Sequence, residues 1–360
     1  MLYTYSPSPH TSNWFQDFIV DMVSEVLRAR SKRATAKTWD ELLPPLHKEE
    51  LRRRRGLKDR YGKLIEASVG LTVRNARQGL LSLGSATYYD DVLSGSLNYK
   101  TSLIATADFN IALTNFLSFA FQLLRDFKNS PGDPRSFRDD LYFLAYGAMP
   151  GHFCPFCGLS RFDAPHPEMP RHALDHYLPI SAYPIFGTYL PNLVPMCDRC
   201  NSSFKLAADM LTDENGNARA CVDPHGSQTA AVSLMNSEPF GNGHLPRWEI
   251  QFVPALDAFE TWDQVFKIRF RYKENILDAE FKAWLADFSL WALIDVPPLH
   301  DSRAVSIALG RFSKLHSGPN DQGFIKGPVF EMLAASATRS DAVGVRITGF
   351  IQSLCGVTNP

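Results

Sequence analysis

Two Cys-x-x-Cys pairs carry the strongest chemical signal in this 360-residue chain: Cys154 with Cys157 in CPFCG, and Cys197 with Cys200 in CDRCN. Two thiolates at this spacing can grip one zinc ion from a tight turn, and two such pairs complete a tetrahedral four-cysteine site. Its closed shell leaves no position for water, so Zn²⁺ there would be structural. Cys157 and Cys197 are separated by 39 residues, 158 to 196. That gap exceeds the one in a simple zinc ribbon and leaves room for a working segment. Within and just after it stand the dipeptide Asp175-His176, then Asn192, Asn201 and Lys205.

From Cys154 to Lys205, in the strings CPFCG, LDHYLP and NLVPMCDRCNSSFK, the order and spacing resemble the HNH, or ββα-metal, endonuclease family. The resemblance is to its zinc-stapled branch, with one cysteine pair before the first strand and another at the start of the helix. It covers 52 of the 360 residues, 154 to 205. It implies a strand carrying Asp175-His176, a loop, a second strand carrying Asn-Leu-x-Pro, and a helix supplying the last ligand. Carried over by position, Asp175 is a metal ligand, His176 the general base, Asn192 the holder of the loop that aims His176, and Asn201 the second metal ligand. The longer string DHYLPISAYPIFGTYLPNLVPMC resembles stand-alone bacterial HNH proteins linked to phage defence, and the family also serves in restriction.

Elementary chemistry agrees with those roles. Hydrolysis of a phosphodiester needs a deprotonated water and a cation beside the charge that builds on phosphate and leaving oxygen. Asp175 and Asn201 are hard oxygen donors, which suit Mg²⁺ or Mn²⁺. A histidine with its ordinary pKa of about 6.5 can be a neutral base near pH 7. Neighbours on a strand point to opposite faces, so Asp175 and His176 need local twisting to serve one site. Some family members carry histidine where Lys205 stands. A protonated lysine cannot ligate a metal, which leaves Lys205 either touching phosphate or the leaving oxygen, or solvated on its helix. The alternative from another class is a zinc-stapled nucleic-acid-binding module without catalysis.

Composition sets the outer limits. Hydrophobic residues make up 45%, charged residues 21%, and the net charge is −1, an ordinary globular composition rather than a polycation. The start MLYTYSPSPH lacks the basic and apolar runs of a signal peptide, and the apolar run from Ile111 to Leu124 is too short to span a bilayer. Zinc thiolates with two further cysteines, Cys221 and Cys355, fit a reducing cytoplasm better than a disulfide framework. Charge is uneven: Arg28 to Arg77 holds fifteen Lys or Arg against six Asp or Glu, with an unbroken run Arg52, Arg53, Arg54, Arg55. Such a segment can bind phosphates by releasing counterions, or it can be a solvated helix face. The nucleic-acid partner expected for the whole is double-stranded DNA.

The elements expected around the motif define an α+β chain, mostly helical, with a central ββα-metal motif stapled by four cysteines and an α+β C-terminal region. Three segments are expected: a helical 1–145 with the basic run, a nuclease segment 146–228, and a C-terminal 229–360. Helical spacing covers 13 to about 83, with Ser12 or Asn13 as cap, and 84–101 reads as a loop. Further helices are expected over 102–127, 138–146, 275–295, 302–315, 328–337 and 342–354. Trp248 to Val253 reads as a strand. Phe266, Ile268, Phe270 and Tyr272 alternate with Lys267, Arg269 and Arg271, which predicts a strand with one buried and one basic face. That basic face either meets a nucleic-acid backbone or faces water.

Overall fold

A computed structural model describes residues 1–5, 13–83, 88–99, 106–130, 132–166, 168–169, 172–240 and 246–356. It is mostly helical, with two small two-stranded sheets among the described residues. The first helix, Trp14–Lys32, begins where Asn13 leaves the helical region and its side chain accepts from the Gln16 amide. Its core stripe is Phe15, Phe18, Ile19, Met22, Val23 and Val26, all buried at three- and four-residue steps. It ends at Arg33 in the left-handed region, φ 53°. This helix packs on Val73–Leu83, and Arg55–Ser68 packs on Ala107–Leu123. The latter helix is capped by Thr106 and buries Phe109, Leu113, Phe116, Leu117 and Ala120. Phe137–Ala148 follows, capped by Ser136.

The polypeptide clusters into two compact units. One comprises Thr4–Met149 and Phe162–Ser227; the other comprises Met1–Tyr3, Pro150–Arg161 and Gln228–Pro360. The expected segments 1–145, 146–228 and 229–360 are drawn differently, with 150–161 and 162–227 grouped apart. In the first unit, β1 (Leu174–His176) pairs antiparallel with β2 (Leu193–Pro195), with His176 opposite Leu193. A wide helical turn, Arg199–Lys205, follows; Leu206 N donates to Asn201 O at 3.0 Å, five residues back. In the other unit, β3 (Ala231–Ser233) pairs with β4 (Gln251–Val253), and helices run through Asp257–Phe266, Asp278–Asp295, Ser302–His316, Gly323–Ala337 and Ala342–Leu354. Its core includes Trp262, Phe288, Phe312 and Phe330. No helix among the described residues is long and apolar enough to cross a membrane.

Two expectations need correction. The alternating stretch 266–272 is helical, not a strand: Phe266 ends one helix, Lys267 caps it in the left-handed region at φ 52°, and Ile268–Tyr272 forms the next. Seven residues of alternation fit either period. Here Ile268, Arg271 and Tyr272 are the buried set, three and four apart, while Phe270 is 63% exposed. The other correction lies in 84–101, read as a loop. Tyr88–Leu93 is a short helix whose Tyr88, Tyr89, Val92 and Leu93 are buried, while 84–87 and 100–101 lie outside the described residues, as does Ser12.

Candidate functional site

β1 alternates as its register requires: Leu174 and His176 are buried and Asp175 is half-buried. The His176 ring keeps 8% exposure, sits 4.3 Å from the Phe121 ring, and places Nε2 3.0 Å from the Gly187 carbonyl oxygen. A carbonyl can only accept, so Nε2 carries the proton and Nδ1 holds the lone pair. Burial pushes the imidazole pKa down to about 4, with the charges of Lys205 and Arg138 adding to that; the Gly187 bond and Asp175 act the other way. A base works while deprotonated, so a depressed pKa keeps it competent in acid. Any rate that depends on His176 is expected to stay level as pH falls from 7.5 to about 5, and to drop only near the acid limb at about 4. A pH–rate profile checks this; a limb in the ordinary histidine range near 6.5 contradicts the buried, neutral ring.

Asn192 holds the loop that presents Gly187. It is 0% exposed, and its Oδ1 accepts from the Leu178 amide at 2.8 Å and the Tyr89 hydroxyl at 3.3 Å. Its Nδ2 donates to the carbonyls of Leu178 at 3.0 Å and Phe186 at 3.2 Å. The two ends of 178–186 are thereby tied together beside the carbonyl that orients His176. A Cβ at Gly187 would meet Ile180 Cδ1 at 2.6 Å and the Pro184 carbonyl oxygen at 3.0 Å. Asn192→Ala strips partners from three buried backbone groups at once. It is expected to cost about 2–4 kcal/mol, read from the urea midpoint at unchanged slope. A shift below about 0.5 kcal/mol would mean that the loop holds itself.

Lys205 departs from both of its expected positions. It is 1% exposed, with Nζ 2.7 Å from Asp175 Oδ2 and donating to the His176 carbonyl at 2.7 Å. It is neither solvated nor placed to touch a substrate. Asn201, half-buried in the same turn, is anchored through its amide to the Cys197 carbonyl at 2.9 Å. The donor set therefore does not fit Mg²⁺ or Mn²⁺ as it stands, because the carboxylate expected to hold the ion is already matched by a buried ammonium. Two further residues that motif spacing did not reveal complete the surroundings. Arg138 places its guanidinium 4.8 Å from the Phe121 ring centroid, on the ring that packs against His176. Both lie far upstream in sequence, on Phe137–Ala148 and Ala107–Leu123.

The four motif cysteines are buried, and their Sγ atoms all lie within 4.8 Å of one another. This group can hold a metal ion such as zinc. The first pair sits on a tight turn: the amides of Cys157 and Gly158 both donate to the Cys154 carbonyl, at 3.2 and 2.7 Å, and Gly158 supplies φ +67°. The Leu159 amide points at Cys157 Sγ at 3.5 Å. Nearby, His172 lies 3.5 Å from Asp163 Oδ2 and 3.7 Å from Asp198 Oδ1, a supporting position.

The residues expected to meet nucleic acid are placed unevenly. The arginine run spans a helix end and a helix start rather than one face, since Lys48–Arg52 stops and Arg55–Ser68 begins. Arg52 pairs with Glu49 at 2.8 Å and Asp40 at 3.3 Å, and Arg54 with Asp126 at 2.9 Å, while Arg53 and Arg55 are exposed. Lys267 is exposed, but Arg269 is clamped by Glu260 at 2.7 Å and Asp263 at 2.9 Å. Arg271 is 1% exposed and donates to the Phe266 carbonyl at 3.3 Å. The expected basic face of 267, 269 and 271 is thus corrected: helical geometry turns Arg271 into the core.

No family model and no solved structure matches the chain. Over 82 residues it is 39% identical to Protein ea31 of Escherichia phage lambda. That match covers 23% of this chain and 22% of the phage protein, so the chain spans about a fifth of the relative's length.

Proposed function

We propose that the chain is an HNH-type endonuclease that hydrolyses phosphodiester bonds in nucleic acid, double-stranded DNA before RNA. The observation that carries the reading is the His176 imidazole: neutral by burial, fixed through Nε2 to the loop that Asn192 ties, with Nδ1 left as the basic atom. His176 takes the proton from a water, whose oxygen attacks phosphorus. The leaving oxygen departs and takes its proton from solvent. The Arg138 guanidinium adds positive charge on the side of the Phe121 ring. Zn²⁺ held by Cys154, Cys157, Cys197 and Cys200 is structural, and when bound it supplies cross-linking rather than chemistry. Bacterial restriction or phage defence is the setting, with which a phage-encoded relative is consistent. The non-catalytic binding module has one observation in its favour, the 8% exposure of His176, which restricts access to the base.

Supercoiled plasmid separates the two. Relaxation and then linearisation by the purified protein support the nuclease. A salt-sensitive gel shift with the plasmid left supercoiled supports the module.

A further inference from the structure

The charge arrangement at β1 does not suit a hard dication, and that mismatch has a specific author among the residues. Mg²⁺ and Mn²⁺ are retained by anionic oxygen, and each carboxylate in a small site counts heavily. Asp175 is the anion that bears on the His176 ring; Lys205 and Arg138 bear on it as cations. The ammonium of Lys205 lies at ion-pair distance from Asp175 Oδ2, 2.7 Å, and at hydrogen-bond distance from the His176 carbonyl, also 2.7 Å. Lys205 is 1% exposed, and the Asp175 side chain keeps 18%. The pair is an ion contact rather than a hydrogen bond, since Asp175 Oδ2 is buried without a hydrogen-bond partner while Nζ donates to the His176 carbonyl. Removing one partner of a buried ion pair leaves an uncompensated charge, which is the costly outcome.

We propose that Lys205 is the resident cation of this site, occupying by charge the place that a divalent metal would take at Asp175. Lys205 is a positioning residue: it fixes the Asp175 carboxylate and the β1 backbone at His176, and it does not touch substrate. The site then needs no added divalent ion to balance Asp175. Any catalytic consequence rests on the nuclease reading above, whereas the cation assignment stands on the Lys205 geometry alone.

Titration of zinc-loaded protein with Mn²⁺, followed by electron paramagnetic resonance of the free ion, tests the assignment without requiring activity. Native protein and Lys205→Arg, which keeps the charge, are expected to show no saturable binding at submillimolar Mn²⁺. Lys205→Met uncovers the Asp175 carboxylate and is expected to gain about one Mn²⁺. Lys205→Met combined with Asp175→Asn is expected to lose it again. Lys205→Gln serves the same arm should the methionine variant fail to fold, with zinc content and melting temperature as folding checks. Saturable Mn²⁺ binding by the native protein that Asp175→Asn abolishes overturns the proposal. So does a folded Lys205→Met or Lys205→Gln protein that gains nothing. A plasmid assay run in parallel keeps the two readings apart. Plasmid left uncut under every condition, with the Mn²⁺ pattern as expected, sinks the nuclease and keeps the cation assignment. Cutting that depends on Mn²⁺ bound by the native protein does the reverse.

Discussion

Cys200→Ser is expected to leave the chain with well under one equivalent of zinc and a markedly lower melting temperature. Structural zinc contributes apparent binding free energies of about 10–16 kcal/mol in small finger peptides, and that binding is coupled to folding. Serine removes one thiolate of four, so part of that free energy is lost. A loss of about 3 kcal/mol would lower the melting temperature by roughly 6–12 °C in a unit of 150–250 residues. The four cysteines form a buried group that could hold a metal ion, and serine cannot restore the missing thiolate bond. Elemental analysis and a thermal melt check both halves. A Cys200→Ser protein with full zinc and an unchanged melt contradicts the four-cysteine site.

His176→Ala is expected to lower the rate of phosphodiester cleavage by about 10²–10⁴, the usual worth of a positioned base. Substrate affinity should change little, since the ring is buried and has little surface to offer a ligand. Some stability is lost as well, because alanine leaves space beside Phe121 and an unpartnered Gly187 carbonyl. His176→Asn is therefore the better control for the chemistry, as it is smaller but polar. Single-turnover cleavage at saturating protein separates the chemical step from binding. Cutting at the native rate by either variant removes His176 from the role of base.

Much of what is local was legible in the sequence. Cysteine spacing of two, asparagine followed by an apolar triplet, and helical periodicity depend on neighbours within a turn or a strand. β1 covers Asp175-His176, β2 begins at Leu193 with Asn192 in the short helical turn just before it, a helical turn follows at Arg199–Lys205, and the cysteines form one buried group. The asparagine cap of the first helix is equally local. Contacts set by tertiary packing were not legible. Lys205 carries the same charge whether solvated or sealed against Asp175, and only the packing of the Arg199–Lys205 turn on β1 decides which. Arg138 and Phe121 reach His176 from separate helices, so no fixed spacing reveals them. The arginine run looked like one basic face because acidic partners such as Asp126 are distant in sequence. The 266–272 stretch failed for a different reason: seven residues do not distinguish period two from the helical period when a lysine can close one helix and open another.

The central claim is that His176 activates water to break a phosphodiester, and cleavage of a short DNA duplex in water labelled with heavy oxygen addresses it most directly. The account predicts one labelled oxygen in each new terminal phosphate, measured by mass spectrometry of the fragments. It also predicts no fragments from His176→Asn over the same interval. An intact duplex with the native protein, or fragments whose phosphates carry no label, would contradict it.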